Sequence, residues 1–295
     1  MLIVVGIVLI VLVTRGPQDA LSDTSAGTHP EDARPTAPVA VAPDALEEDI
    51  RRILEDAGGI RVGVALADVD GVRTFGEDTA FFAASTAKIL TAVAFYHLVE
   101  TGEADLAESL GDYDAGFQLE AMVNNSSNDA WLLLMERIGH RELSDYAGSI
   151  GITYDPEENL LTPADMASLL IRLSAGELLD PVHTEELLGF MQDTNDEDLI
   201  PAASRPDVTV HHKYGQLGPP DGDLHDAALL SFRGTTIALV VYTENRTGNL
   251  PDVDDPEGGV DESGVDEEVD HQAEQIELIH ALTRTVEDAL YPVDP

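Results

Sequence analysis

Hydrophobic and polar positions change rhythm several times along this chain. Leu2 to Val13 is an apolar run with β-branched bias, and Gly16 to Pro43 is rich in Pro, Ala, Asp and Thr without periodicity. From Asp44 the pattern turns helical: Leu46, Ile50, Ile53, Leu54 and Ala57 share one face, and Gly58-Gly59 ends it. Arg61 to Asp68 and Val72 to Phe75 read as strands joined at Asp70-Gly71, a hairpin signal. A helix is predicted from about Ser85, with Leu90, Val93, Ala94 and Leu98 on one face and Gly102 closing it.

The middle of the chain reads as helical. Trp131 to Met135 is an apolar helix core ending at Gly139. Thr162-Pro163-Ala164-Asp165 opens another helix, with a Thr cap, Pro at the first position and an acid in the first turn, and it stops near Gly176. A further helix is expected over Glu185 to Gln192. Strands return at Val208 to Lys213, Asp226 to Phe232 and Thr235 to Tyr242, with Arg233-Gly234 linking the last two. A final helix aligns Leu278, Leu282, Val286 and Leu290. The order is helix, two strands, a helical block, three strands, helix. It predicts an α/β (α+β) domain: one antiparallel five-stranded sheet flanked by the terminal helices, plus an all-helical lobe. A site is expected at the seam between sheet and lobe.

Two segments precede that domain, which spans 44–291, and one interrupts it. Residues 1–15 read as an export anchor or signal segment, because the apolar run is shorter than the ~20 residues of a spanning helix. Residues 16–43 read as a flexible linker. Asn249 to Glu268 reads as an acidic, Gly- and Pro-rich insert without the ordered ligand spacing of a calcium loop. The expected location is therefore extracytoplasmic, secreted or held at the membrane through the N-terminal segment only.

Composition narrows the functions. Hydrophobic residues make up 43% of the 295, enough to build a core. The formal net charge is -42, from 57 acidic and 15 basic residues, which argues against a nucleic-acid ligand. Acids spread along the whole chain suit a halophilic host, where salt screens repulsion and the charge keeps the protein soluble; an ordinary acidic surface with an acidic insert is the alternative. No cysteine is present, which excludes disulfides and thiolate chemistry.

Lysine usage is the sharper clue. Of the 15 basic residues only Lys88 and Lys213 are lysines. Arg stays protonated, whereas a desolvated Lys amine can lose its proton and act as a base. Lys88 lies in Ala84-Ser85-Thr86-Ala87-Lys88, so Ser85 and Lys88 share a helix face, and a hydroxyl needs such a base to become a nucleophile. A helix start also offers N–H groups to an oxyanion. Ser126-Ser127-Asn128 precedes an apolar helix, where a hydroxyl could relay a proton and an amide could hold a substrate carbonyl. Lys213-Tyr214-Gly215 ends a strand, where Gly lets another backbone approach closely. Each motif alone has an ordinary structural explanation: a cap, a polar loop, or an edge-strand lysine.

Taken in order, AASTAK, SSN and KYG resemble the S-x-x-K, S-D-N and K-T-G set of class A beta-lactamases and penicillin-binding proteins. The flanking TGEADL, NDAWLLLMERIG, TPADMASLL and HDAALLSF are similar too, over roughly Asp44 to Tyr291 apart from the insert. The resemblance implies a serine hydrolase acting through an acyl-enzyme on beta-lactams or D-alanyl peptides of peptidoglycan type. It needs no cofactor and no metal, and a monomer is expected. Ser85 would be the nucleophile, Lys88 its base and Ser126 the relay to the leaving nitrogen. Asn128 would orient the substrate amide, and Lys213 would face the substrate carboxylate and tune Ser126. The N–H groups of Ser85 and Gln216 would form the oxyanion hole, with Tyr214 and Gly215 lining the substrate.

The chain departs from that pattern in three places. Ser127 stands for the middle Asp, and Tyr214 for a short Thr or Ser. The loop between Gly151 and Thr162 is much shorter than the family's omega-shaped loop. Tyr154-Asp155-Pro156-Glu157-Glu158-Asn159 resembles that loop's W-E-P-E-L-N, which would put Asp155 where a Glu activates the deacylating water, one methylene short, with Asn159 as its partner. Deacylation is expected to be weak. A non-catalytic cell-envelope binding module with the same fold, and a Ser-Lys esterase, are the alternatives.

Overall fold

The helices α1 (Pro43–Asp56), α2 (Lys88–Thr101), α3 (Ala115–Val123), α4 (Asn128–Ile138), α5 (His140–Ser149), α6 (Pro163–Ser174), α7 (Pro181–Phe190), α8 (Ile200–Ala203) and α9 (Gly264–Leu290) enclose a five-stranded sheet. Its strands are β1 (Ile60–Asp68), β2 (Gly71–Gly76), β7 (Thr209–Gln216), β8 (Leu224–Phe232) and β9 (Thr235–Asn245), while β3 (Phe81–Phe82) pairs with β6 (Leu160–Leu161) and β4 (Ser109–Leu110) with β5 (Tyr113–Asp114) in two small two-stranded sheets. This computed structural model describes residues 43–218, 222–245 and 264–291, and side chains of α1 and α9 from 45 and 272 respectively. The expected N-terminal anchor, the linker and most of the acidic insert lie outside the described residues. α9 begins at Gly264, inside the stretch expected to be insert. Among the described residues no helix is long and apolar enough to cross a membrane.

The sheet order is β2-β1-β9-β8-β7, antiparallel throughout. First and last segments of the domain therefore meet at its centre, as the separation of strand patterns implied. Both faces are buried, and residues alternate between two cores. Val62, Val64, Leu66, Leu239 and Val241 pack with Leu46 and Ile50 of α1 and Ile279, Leu282 and Val286 of α9. Ala65, Ala67, Ala238, Val240 and Tyr242 face the helical lobe. Small residues on the lobe side let α6 approach β1 and β9 closely. In α2 every residue from Lys88 to Tyr96 is buried, so it runs through the lobe as a central helix rather than an amphipathic surface one.

Several ends obey local rules. Thr162 caps α6 through the Asp165 N–H at 3.0 Å, with Pro163 at its first position. α7 starts at Pro181, earlier than the pattern suggested, because Asp180 caps it through the N–H groups of Val182 and His183. β7 extends past Lys213 to Gln216, because Tyr214, Gly215 and Gln216 keep their pairing with Asp226, His225 and Leu224.

Candidate active site

Ser85 sits on a single 3-10 turn, Ala84–Ala87, immediately before α2. Three of the five non-glycine residues with positive φ among the described residues surround it: Ala84 (47°), Ser126 (56°) and Asn159 (52°). Such conformations are costly and persist where neighbours over-determine them. Those neighbours are visible. Asn159 is buried; its amide nitrogen donates to the Ala84 carbonyl at 3.0 Å, and its side-chain oxygen accepts from the Tyr154 hydroxyl at 3.0 Å. The Ala83 N–H donates to the Asn159 carbonyl at 2.8 Å. Thr86 Oγ lies 2.6 Å from the Ala83 carbonyl and 2.7 Å from Tyr242 Oη, so the turn is also pinned to β9.

Lys88 opens α2 with its side chain fully buried. Its Nζ is 2.9 Å from Ser85 Oγ, 2.8 Å from Asn128 Oδ1, 2.7 Å from the Ser126 carbonyl and 3.3 Å from Ser126 Oγ. Burial lowers its pKa from 10.5 to about 8. An ammonium has three protons for these four oxygens; the free amine has two protons and a lone pair. In the free-base form the lone pair can therefore receive the Ser85 hydroxyl proton while the two N–H groups stay on the Ser126 carbonyl and Asn128 Oδ1, the two shorter of the remaining contacts. Lys88, Ser126 and Asn128 come together because Ser127 Oγ accepts from the Ala130 N–H at 3.2 Å and caps α4, turning the motif toward Lys88. Ser127 thus serves as the helix cap of α4.

Lys213 and Gly215 arrive on β7. A Cβ on Gly215 would lie 3.1 Å from Ser85 N, 3.1 Å from Ala84 Cβ and 3.2 Å from the Ala83 carbonyl, so only glycine lets β7 press on the Ser85 turn. Gln216, exposed, is the last residue of β7. Lys213 is fully buried and its Nζ has no hydrogen-bond partner. Burial and the nearby Lys88 ammonium lower its pKa to about 7, against the opposing pull of Asp226 and Asp196. The Tyr214 ring centroid is 3.9 Å from Nζ. No hydrogen bond runs from Lys213 to Ser126; Ser126 Oγ meets Lys88 instead.

Asp155 is not drawn into this cluster. It is exposed, and its carboxylate accepts from the N–H groups of Glu157 and Glu158 at 2.9 and 3.2 Å, an Asx turn that shapes its own short loop. Its backbone pairs with Leu160. The loop is so short that Asn159 is tied to the Ser85 turn while Asp155 stays on the surface.

Some structural partners carry no motif. His212 is buried beside Lys213, with Nδ1 2.9 Å from Asp226 Oδ1 and Nε2 3.0 Å from Thr194 Oγ. Burial opposes its protonation, but Asp226 and then Glu197 outweigh it and raise its pKa. Asn195 receives the Tyr214 hydroxyl at 3.1 Å and donates to the Asn125 carbonyl at 3.2 Å. The paired histidines before Lys213 hinted at the first group; nothing in the sequence pointed to the second.

The fold is shared with solved structures. A PBP-A mutant, captured as an acyl-enzyme complex with penicillin G, is 24% identical at a TM-score of 0.68, covering 87% of this chain and 100% of that one. A beta-lactamase from Xanthomonas campestris pv. campestris is 23% identical at 0.68, with coverage of 85% and 99%. The ancestral class A beta-lactamase of Gram-negative bacteria is 24% identical at 0.66, with coverage of 83% and 99%. No curated protein sequence matches significantly. The model of the beta-lactamase enzyme family (Beta-lactamase2) matches residues 45–286. With most of its length matched, and with Ser85, Lys88, Ser126 and Asn128 gathered around one hydroxyl, this chain belongs to the beta-lactamase enzyme family.

Proposed function

We propose that this protein is a serine hydrolase that forms an acyl-enzyme on Ser85 with beta-lactams or D-alanyl peptides. One observation carries the reading: Ser85 Oγ lies 2.9 Å from a buried amine whose pKa has fallen to about 8. Lys88 as free base takes the Oγ proton while Oγ attacks the carbonyl carbon. The C–N bond then breaks, and Ser126 Oγ, 3.3 Å from Lys88 Nζ, passes the proton to the leaving nitrogen. Asn128 holds the substrate amide, and N–H groups at Ser85 and Gln216 receive the oxyanion. Because the Asp155 carboxylate is engaged by its own loop, deacylation is slow and the acyl-enzyme accumulates. The catalytic domain works outside the cytoplasmic membrane, tethered or released through residues 1–15.

A fluorescent penicillin should label the protein, and mass spectrometry should place one adduct on Ser85, absent in Ser85→Ala. Binding of peptidoglycan fragments unaffected by Ser85→Ala, with no adduct from penicillins, cephalosporins or activated esters, would replace this reading with that of a binding module.

A further inference from the structure

Among the described residues, Lys213 is the buried amine that the proposed reaction leaves without a hydrogen bond. Its Nζ is inaccessible to solvent and unpartnered, and it sits two residues before the glycine that touches the nucleophile turn. An ammonium at the end of a crevice is a natural seat for an anion. Here the seat is covered. The Tyr214 ring lies 3.9 Å from Nζ. The phenol is latched: it donates to Asn195 Oδ1 at 3.1 Å, so it is not free to share an incoming anion. Asn195 is itself anchored, its side chain donating to the Asn125 carbonyl at 3.2 Å and its backbone N–H to the Asn124 carbonyl at 3.3 Å. The latch therefore bridges β7 and the segment that carries Ser126.

We propose that Tyr214, latched by Asn195, closes the Lys213 end of the crevice to anions, so that Ser85 takes acyl donors that are uncharged at that end. This rests on the acyl-transfer reading and narrows its substrates to neutral amides, lactams and esters. A carboxylate seeking Lys213 has to break the Tyr214–Asn195 hydrogen bond and displace the ring from the ammonium. Each loss is worth about tenfold in rate.

The test compares benzylpenicillin with its methyl ester, which share one strained amide and differ by one carboxylate. Second-order rates of adduct formation on Ser85 are read by intact-protein mass spectrometry. The wild-type protein should react with the ester about tenfold faster than with the acid. Tyr214→Thr should shift that ratio toward the acid by about tenfold to a hundredfold, and Asn195→Ala, which keeps the ring but removes the latch, should shift it the same way. A wild-type protein that prefers the free acid overturns the proposal, even if neither variant folds, and leaves acyl transfer standing. An unchanged ratio in a folded Tyr214→Thr also overturns it. No adduct on Ser85 from either compound removes the acyl-transfer reading and this proposal with it.

Discussion

In the proposed reaction the state of Lys88 sets how fast Ser85 is acylated, and pH is the simplest handle on it. At its ordinary 10.5, an amine is free base in about one molecule in 3,000 at pH 7. At about 8 the fraction is about one in ten, a gain on the order of 300-fold in competent sites. Part of that gain is offset, because a weaker base drives proton transfer less. The cause is burial: the amine is inaccessible, and its charge must be supported by four oxygens rather than by water. The sign follows. The reactive form is the deprotonated one, so acylation should rise with pH, reach half its limit near 8 and level off above it. The assay is the burst of p-nitrophenol from an uncharged ester between pH 6 and 10, with the Ser85→Ala background subtracted, so that no substrate charge titrates. Lys88→Arg keeps a cation but cannot surrender its proton, and should lose about 10²- to 10⁴-fold at every pH. A profile flat from pH 6 to 10, or one still climbing at pH 10, would refute the reasoning, since neither is compatible with a base titrating near 8.

Other consequences are equally direct. Gly215→Ala should slow acylation on the order of tenfold or more while leaving the protein folded by circular dichroism, because the new methyl must push β7 off the nucleophile turn by a few tenths of an ångström. Asn159→Ala removes the bond to the Ala84 carbonyl and orphans the Tyr154 hydroxyl, and urea unfolding should show a loss of about 2 kcal/mol or more. His212 has a raised pKa, so its pairing with Asp226 stabilises the fold fully below the unfolded value of 6.5 and loses that contribution as pH rises through the higher folded value. The Tm difference between wild type and Asp226→Asn should accordingly be largest below pH 6.5 and shrink as pH rises. Asp155→Ala should leave the lifetime of the acyl-enzyme unchanged, since that carboxylate serves its own loop; a tenfold longer lifetime would make Asp155 the activating base.

What the sequence determined by itself is whatever depends on near neighbours in the chain. Alternation and helical spacing set the strands and the long helices, because a side chain's face follows from the backbone period alone. The Ser85–Lys88 relation was legible for the same reason: three residues along a helical turn are spatial neighbours wherever the turn is placed. The scarcity of lysine and the order of three short motifs singled out Lys88, Lys213, Ser126 and Asn128. The four-residue α8 escaped, since so few residues carry too little periodicity, while α3 and α5 were covered only by the general helical reading of the middle of the chain. Tertiary structure decided everything that depends on which distant segments meet. Only the packed chain shows that Asn159 braces Ala84 while Asp155 turns outward, that Ser126 answers to Lys88 and not to Lys213, and that Asn195 holds the Tyr214 hydroxyl. Burial decided the amines as well: a lysine's basicity depends on how much water surrounds it, and only the packing of the whole chain sets how much water reaches Lys88 and Lys213.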